Sequence, residues 1–255
     1  KGCAVVDENF PDSEIVPTPL TVAEEKGIAA AVASAGDVDA IIAVLGEDEF
    51  RTGESRSRTS LDLPGRQQLL LERLAATGKP VVLVLVNGQP LTINWADRNC
   101  AAILETWFPG AHGGKSVAKA LFGEINPSGK LTVTFPKSIG QIEYNFPFKK
   151  GSHGKQNSSG NPNGSGVTRV IGPLYPFGYG LSYTQFAYSD MSVNFDKASD
   201  RFEIKVKVTN VGGLVANNVE YILFDKIEED DTQFKIGAMV SLRELETNES
   251  LNKYT

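Results

Sequence analysis

The chain has 255 residues, 41% of them hydrophobic and 22% charged, with a formal net charge of -6; this is the balance of a globular protein long enough for two domains. It contains no run of about 18 apolar residues to span a bilayer, and no basic stripe to meet a phosphate backbone, so neither a membrane span nor a nucleic-acid partner is expected. Cys3 and Cys100 fit no metal or Cys-x-x-Cys spacing and no His-rich cluster accompanies them, so neither a metal nor a cofactor is expected.

The opening "KGCAVVDENF" carries neither an initiator Met nor a signal-peptide pattern and reads as the interior of a longer or processed polypeptide. "TVAEEKGIAAAVASAG" is a helical pattern with Thr21 as N-cap, early acids and Gly36 at its end. Three short, β-branched runs read as buried strands: "AIIAVLG" (Ala40 to Gly46), "PVVLVLVNG" (Pro80 to Gly88) and "AAILETW" (Ala101 to Trp107). Between and after them, "LPGRQQLLLERLAATGKP" and "GGKSVAKALFG" read as helices. Strands alternating with helices imply an α/β fold with a mostly parallel sheet covered on both faces.

From about Pro136 the periodicity fades, and "KKGSHGKQNSSGNPNGSGVTR" reads as a linker or long surface loop. Beyond "PLYPFGYGLSYTQFAYSDM" the pattern changes to alternation, with Phe202, Ile204, Val206 and Val208 of "RFEIKVKVTNVG" on one face. "VEYILFD" and "AMVSLREL" continue it, predicting a small β-sandwich whose last strands are incomplete. The expected division is therefore an α/β domain over 1–140, a linker and long loop over 141–184, and a β domain over 185–255.

Chemistry is sought at the carboxyl ends of parallel strands, where ligands of open α/β sheets sit. "GEDEFRTGESRSRTSLDLP" occupies that place after the first strand and is much longer than the two to six residues usual for such a connection. "GAHGGKS" resembles a phosphate-cradling loop, but Gly110 and Gly114 enclose three residues where that loop needs four. "GLSYT" around Ser182 lacks the second Gly of a nucleophile elbow, and His112 and His153 complete no triad. The acids of the long loop remain: Glu47, Asp48, Glu49 and Glu54, interleaved with Arg51, Arg56 and Arg58. They read either as a solvated charged turn or as a carboxylate reaching into a neighbouring cleft, where desolvation makes a carboxyl a proton donor.

Several stretches together resemble the carboxyl-terminal half of glycoside hydrolase family 3: "GEDEFRTGESRSRTSLDLPGRQQLL", "GKPVVLVLVNGQPL", "NPSGKL" followed by "TFPKS", and "YPFGYGLSYT". The resemblance implies a six-stranded α/β sandwich with flavodoxin-like layers, followed by a fibronectin type III-like β-sandwich. It also implies an N-terminal barrel domain, in the same or a companion polypeptide, that bears a nucleophilic Asp, so this chain alone is expected to be catalytically incomplete. By the same resemblance Glu54 is the general acid/base of a retaining β-glucosidase. Glu47 is its rival or a supporting part of the turn, and Arg56 and Arg58 pin the loop or tune its charge, with surface solvation an equal reading for Arg56. The implied substrate is a β-linked gluco-oligosaccharide or an aryl or alkyl β-glucoside, with xylosides and longer glucans left open, and the implied location is secreted or periplasmic. Sequons at Asn157, Asn163 and Asn248 bear on a eukaryotic secretory host alone. The alternative is a sugar-binding or scaffold module that kept the fold without the catalysis.

Overall fold

A computed structural model describes residues 2–56, 58–141, 170, 172–198 and 200–214, and the backbone of 227–229 and 234–236. The chain divides into two units, Lys1–Phe122 with Gly129–Gly180, and Gly123–Ser128 with Leu181–Thr255.

In the first unit, β1 (Ile41–Gly46), β2 (Val81–Val86) and β3 (Ala102–Glu105) form a parallel sheet in that order. Ile41 to Gly46 pair with Val81 to Val86, and Val82 to Leu85 with Ala102 to Glu105. β3 stops short of Trp107, because Trp107 itself turns at a left-handed φ of 50°.

Helix α1 (Val22–Ala33) starts at the Thr21 cap, where the Thr21 hydroxyl accepts the Glu24 N–H and the Glu24 carboxylate accepts the Thr21 N–H. Helix α2 (Gln67–Ala75) begins later than the sequence pattern, since Gly65 at φ 61° holds "LPG" in a turn and Leu63 enters the core as part of the loop. A short helix α3 (Asn94–Asn99) precedes β3, and α4 (Gly113–Leu121) follows it. Six residues are too few for a legible apolar stripe, so α3 has no signature in the sequence.

Side chains alternate across the sheet. Ala43, Val81, Leu83 and Leu85 pack with Ile28 of α1 and with Leu70, Leu71 and Leu74 of α2, and Leu91, Ile93 and Phe135 close this core. Ile42, Val44, Val84 and Val86 face α4 across an apolar groove of about 350 Å³. Beside β1 runs a second groove of about 600 Å³, lined by Ala40 to Gly46 together with Cys3, Ala35 and Val38. This sheet thus has three strands among the described residues where six were expected.

The second unit holds an antiparallel hairpin, β4 (Phe186–Asp196) and β5 (Arg201–Asn210), with an irregularity between Ser189 and Ser192 where Asp190 adopts φ 54°. The predicted alternation at Phe202, Ile204 and Val206 lies on β5. Two further strands, β6 (Ile227–Glu229) and β7 (Phe234–Ile236), pair with each other. The expected linker at 149–169, the strands "VEYILFD" and "AMVSLREL", and the three sequons lie outside the described residues.

Candidate active-site loop

β1 ends at Gly46, whose φ of 141° and close approach to Val86 exclude any side chain: a Cβ would stand 2.0 Å from the Val86 carbonyl oxygen. The chain then leaves the sheet and returns only at Gln67. That residue is buried and replaces a strand partner for Gly46. Its Oε1 accepts the Gly46 N–H at 2.7 Å, while its Nε2 donates to the carbonyls of Gly46 at 2.7 Å and Pro64 at 3.1 Å. Gln67→Leu strands a buried N–H and two carbonyls, so we expect a loss of about 3–4 kcal/mol, taking the lower end of roughly 1–3 kcal/mol per unmet group. The midpoint of urea unfolding checks it; a change below about 0.5 kcal/mol contradicts it.

The stem of the loop is held by buried charges. The Glu47 side chain is fully buried and ion-pairs with Arg58, whose side chain is 6% exposed. Its carboxylate also accepts the Gly88 N–H at 3.1 Å and the Gln89 side-chain N–H at 3.2 Å. Arg58 donates in addition to the Asp62 carbonyl at 3.1 Å, and Asp62 accepts the Thr92 hydroxyl. Burial lowers the pKa of the Arg58 guanidinium and the nearby Asp62 charge opposes the shift; an arginine stays charged regardless. Glu47 and Arg58, distant in sequence and adjacent in space, tie the outgoing limb of the loop to its returning limb and both to the end of β2.

On the other side Arg51, also buried, ion-pairs with Glu14 and lies 4.6 Å from the centre of the Phe10 ring. Glu14 accepts the Thr59 hydroxyl at 3.1 Å, so the segment before α1 straps the loop from outside. Burial lowers the Arg51 pKa, with Asp7 opposing.

The tip is built differently. Gly53 at φ 124° and Ser55 at φ 62° bend the chain sharply around Glu54, which is exposed and has no hydrogen-bond or ion-pair partner among the described residues. Arg56 donates to the Phe50 carbonyl at 2.7 Å across the base of this bend, while Asp48 accepts the Phe50 N–H at 3.1 Å. Of the residues singled out in the sequence, Glu47 and Arg58 come together in the stem and Glu54 stands apart at the tip.

At the same end of the sheet Glu105 terminates β3. Its Oε1 accepts the Trp107 N–H at 2.8 Å. Burial pushes its carboxyl up to about 7, against the Trp107 N–H, the Asn87 side chain and the Thr106 N–H, which pull it down. Trp107 leads into an aromatic row: Phe135 at 5.8 Å, then Tyr175 at 6.0 Å from Phe135, then Tyr179 stacked at 5.1 Å. The Tyr175 hydroxyl donates to Asp97 at 2.6 Å. Sequence reasoning passed over Gln67 and Glu105. An acid inside the apolar run "AAILETW" was a usable signal for Glu105, because unpaired acids are seldom buried; Gln67 carried none.

Comparison with known proteins places this arrangement. The family model of the Glycosyl hydrolase family 3 C-terminal domain matches residues 5–183. A periplasmic beta-glucosidase of Salmonella typhimurium is 43% identical over 190 residues, covering 71% of this chain and 24% of its own length. A beta-xylosidase of Formosa agariphila is 38% identical over 199 residues, covering 76% and 26%. Among solved structures, a beta-glucosidase from Listeria innocua in complex with glucose superposes with a TM-score of 0.67 at 30% identity, covering 78% of this chain and 28% of that one. A beta-glucosidase from Erythrobacter marinus gives 0.62 at 39%, covering 74% and 25%. The chain spans about a quarter of the length of the curated relatives it matches. With a parallel α/β sheet, the long acidic loop beyond β1, and a family match over residues 5–183, the chain belongs to glycosyl hydrolase family 3, whose carboxyl-terminal domain it carries.

Proposed function

We propose that this chain supplies the general acid/base of a retaining, exo-acting β-glycosidase, and that Glu54 is that residue. The observation that carries the reading is the contrast within one loop: Glu47 is buried and fully engaged, whereas Glu54 is presented at a sharply bent tip on a stem pinned by ion pairs. A carboxylate whose oxygens are taken up by an arginine and two N–H donors has no oxygen free to turn toward a substrate. An unengaged carboxyl on a rigid support can be inserted into a sugar-binding cleft.

In this reading the nucleophilic Asp and the subsite for the terminal sugar lie on a barrel domain outside these residues. The Asp attacks the anomeric carbon while Glu54 gives its proton to the departing glycosidic oxygen. The covalent glycosyl-enzyme is then opened by water, whose proton returns to Glu54, with the two carboxyls about 5–5.5 Å apart. Relatives named as beta-glucosidases and beta-xylosidases support a terminal β-linked glucosyl or xylosyl residue as substrate. The periplasmic name of one relative supports export; among the described residues no helix is long and apolar enough to cross a membrane.

The reading includes the domain plan 1–140, 141–184 and 185–255, with a fibronectin type III-like fold for the last. It also includes further strands beside β1, which stands at the edge of the described three-stranded sheet, and further cover for the face bearing Ile42 and Val44, 48% and 60% exposed. All-parallel sheets are buried on both faces. The test of the catalytic assignment is substitution of Glu54 in the complete polypeptide, assayed on glycosides of graded leaving-group acidity.

A further inference from the structure

The limb that carries Glu54 is a small closed turn. The Arg56 N–H donates to the Gly53 carbonyl at 3.2 Å and Arg56 Nη1 to the Phe50 carbonyl at 2.7 Å, so residues 50–56 hold their own shape. Such a turn still swings as a body unless something ties it down. The ion pair of Glu47 with Arg58 lies outside it, at the two ends of the stem. Between those two residues Arg51 is the one buried position among the described residues, at 4% exposure, whereas Glu49, Phe50 and residues 53–56 are exposed.

Arg51 reaches the segment that precedes α1. Glu14 pairs with its guanidinium, the Cζ stands 4.6 Å over the centre of the Phe10 ring, and the Asp7 charge offsets part of the cost of burial. That segment is an arch with both feet on the start of α2. At the first foot Gly65, at φ 61°, comes so close that a Cβ would stand 2.9 Å from the Val5 carbonyl oxygen and 3.0 Å from the Asp7 nitrogen. The Val5 carbonyl also accepts Gln67 Nε2 at 3.2 Å. At the second foot Arg66 donates to the Thr18 hydroxyl at 2.9 Å and to the Pro19 carbonyl at 3.0 Å. The Asn9 side chain donates to Thr18 at 3.3 Å across the span. Arg51 therefore joins the turn to a fixed frame. Thr52 beside it packs on Gly88, where a Cβ would stand 2.7 Å from the Thr52 methyl.

We propose that Arg51 is a positioning residue for Glu54, and that the arch of residues 5–18 is the frame against which the tip of the loop is aimed. Adhesion alone does not call for an arginine here. An apolar pair of the same volume in place of a buried ion pair is often neutral or stabilising, so what Arg51 and Glu14 add is direction. A planar guanidinium between a carboxylate and a ring face has one seat, whereas packed methylenes have several. Glu54 follows three residues later, between the sharp bends at Gly53 and Ser55. A small rotation at Arg51 is carried to its carboxyl, and a misplacement of about 1 Å is enough to cost as much as about 10²-fold in rate. The catalytic consequence rests on the role proposed for Glu54; the anchoring does not.

The test uses the complete polypeptide, comparing wild type with the double variant Arg51→Met with Glu14→Leu, which removes both charges and keeps the volume. Each is made with and without Glu54→Ala. Amide exchange across residues 50–56 should be at least about fivefold faster in the double variant, with exchange across Val81–Val86 and the Tm unchanged. On an alkyl β-glycoside kcat should fall at least about tenfold at nearly constant KM. In the Glu54→Ala background the same pair of changes should cost nothing further, because a residue that acts through Glu54 then has nothing left to aim. A merely structural Arg51 gives a lowered Tm, faster exchange throughout the sheet and equal losses in both backgrounds, and that result overturns the proposal. Unchanged exchange at residues 50–56 overturns the anchoring. Near-normal hydrolysis by Glu54→Ala alone sinks the acid/base reading and the catalytic consequence with it, and the exchange rates still decide the anchoring. Should the double variant not fold, Phe10→Leu keeps the ion pair and removes the ring from an exposed position. Exchange at residues 50–56 at least about twofold faster than in wild type then supports the frame, and equal exchange overturns it.

Discussion

Glu54→Ala in the complete polypeptide is expected to lower kcat/KM on alkyl β-glycosides by about 10²–10⁴-fold, the range that general acid/base catalysis contributes. The loss should shrink steadily as the leaving group becomes more acidic, because an alcohol that departs readily as its anion needs little proton donation. With a dinitrophenyl glycoside the first step should be nearly normal, and the second, which needs a base to deprotonate water, should become rate-limiting. A glycosyl-enzyme then accumulates, and KM falls with kcat. Azide attacks that intermediate without base assistance, so it should restore turnover and give the β-glycosyl azide with retained configuration. Near-normal hydrolysis of the alkyl glycoside sinks the assignment and favours a module that keeps the fold for sugar binding or scaffolding.

The position of this site was legible in the sequence, and its internal division was not. Short apolar, largely β-branched runs identify β1, β2 and β3, and only the central strand β2 is largely buried on both faces among the described residues. The length of the connection after β1 marks the loop. Within it, however, Glu47 and Glu54 each follow a glycine and look equivalent. What separates them lies at Arg58, Gly88 and Gln89, contacts that only the folded β1 and β2 bring to one place. Gln67 is another such case: it acts as a surrogate strand edge for Gly46, yet in "RQQLLLERL" it is one of two adjacent glutamines. In the second unit, alternation predicted β5 but passed over β4, and it says nothing about what their faces pack against, since period two is satisfied by any half-buried sheet.

Breaking the stem is expected to be the largest single loss of stability. Glu47→Ala leaves the Arg58 guanidinium buried without its counter-ion and deprives the Gly88 and Gln89 N–H groups of their acceptor. Removing one partner of a buried pair costs about 3–5 kcal/mol, chiefly through the stranded charge. For a domain of this size that corresponds to a fall in Tm of roughly 10 °C, measurable by calorimetry. If the stranded charge is the cause, the double substitution Glu47→Leu with Arg58→Met should be less damaging than Glu47→Ala alone, because it removes both ions and keeps the volume. A single substitution costing under about 1 kcal/mol contradicts this account of the stem. The same experiment separates support from chemistry. Glu47→Ala should slow hydrolysis of activated and unactivated glycosides alike, since a displaced acid and a displaced base are both misaligned. Glu54→Ala, by contrast, should discriminate sharply between them, and a leaving-group dependence in Glu47→Ala as steep as in Glu54→Ala would return the proton-donating role to Glu47.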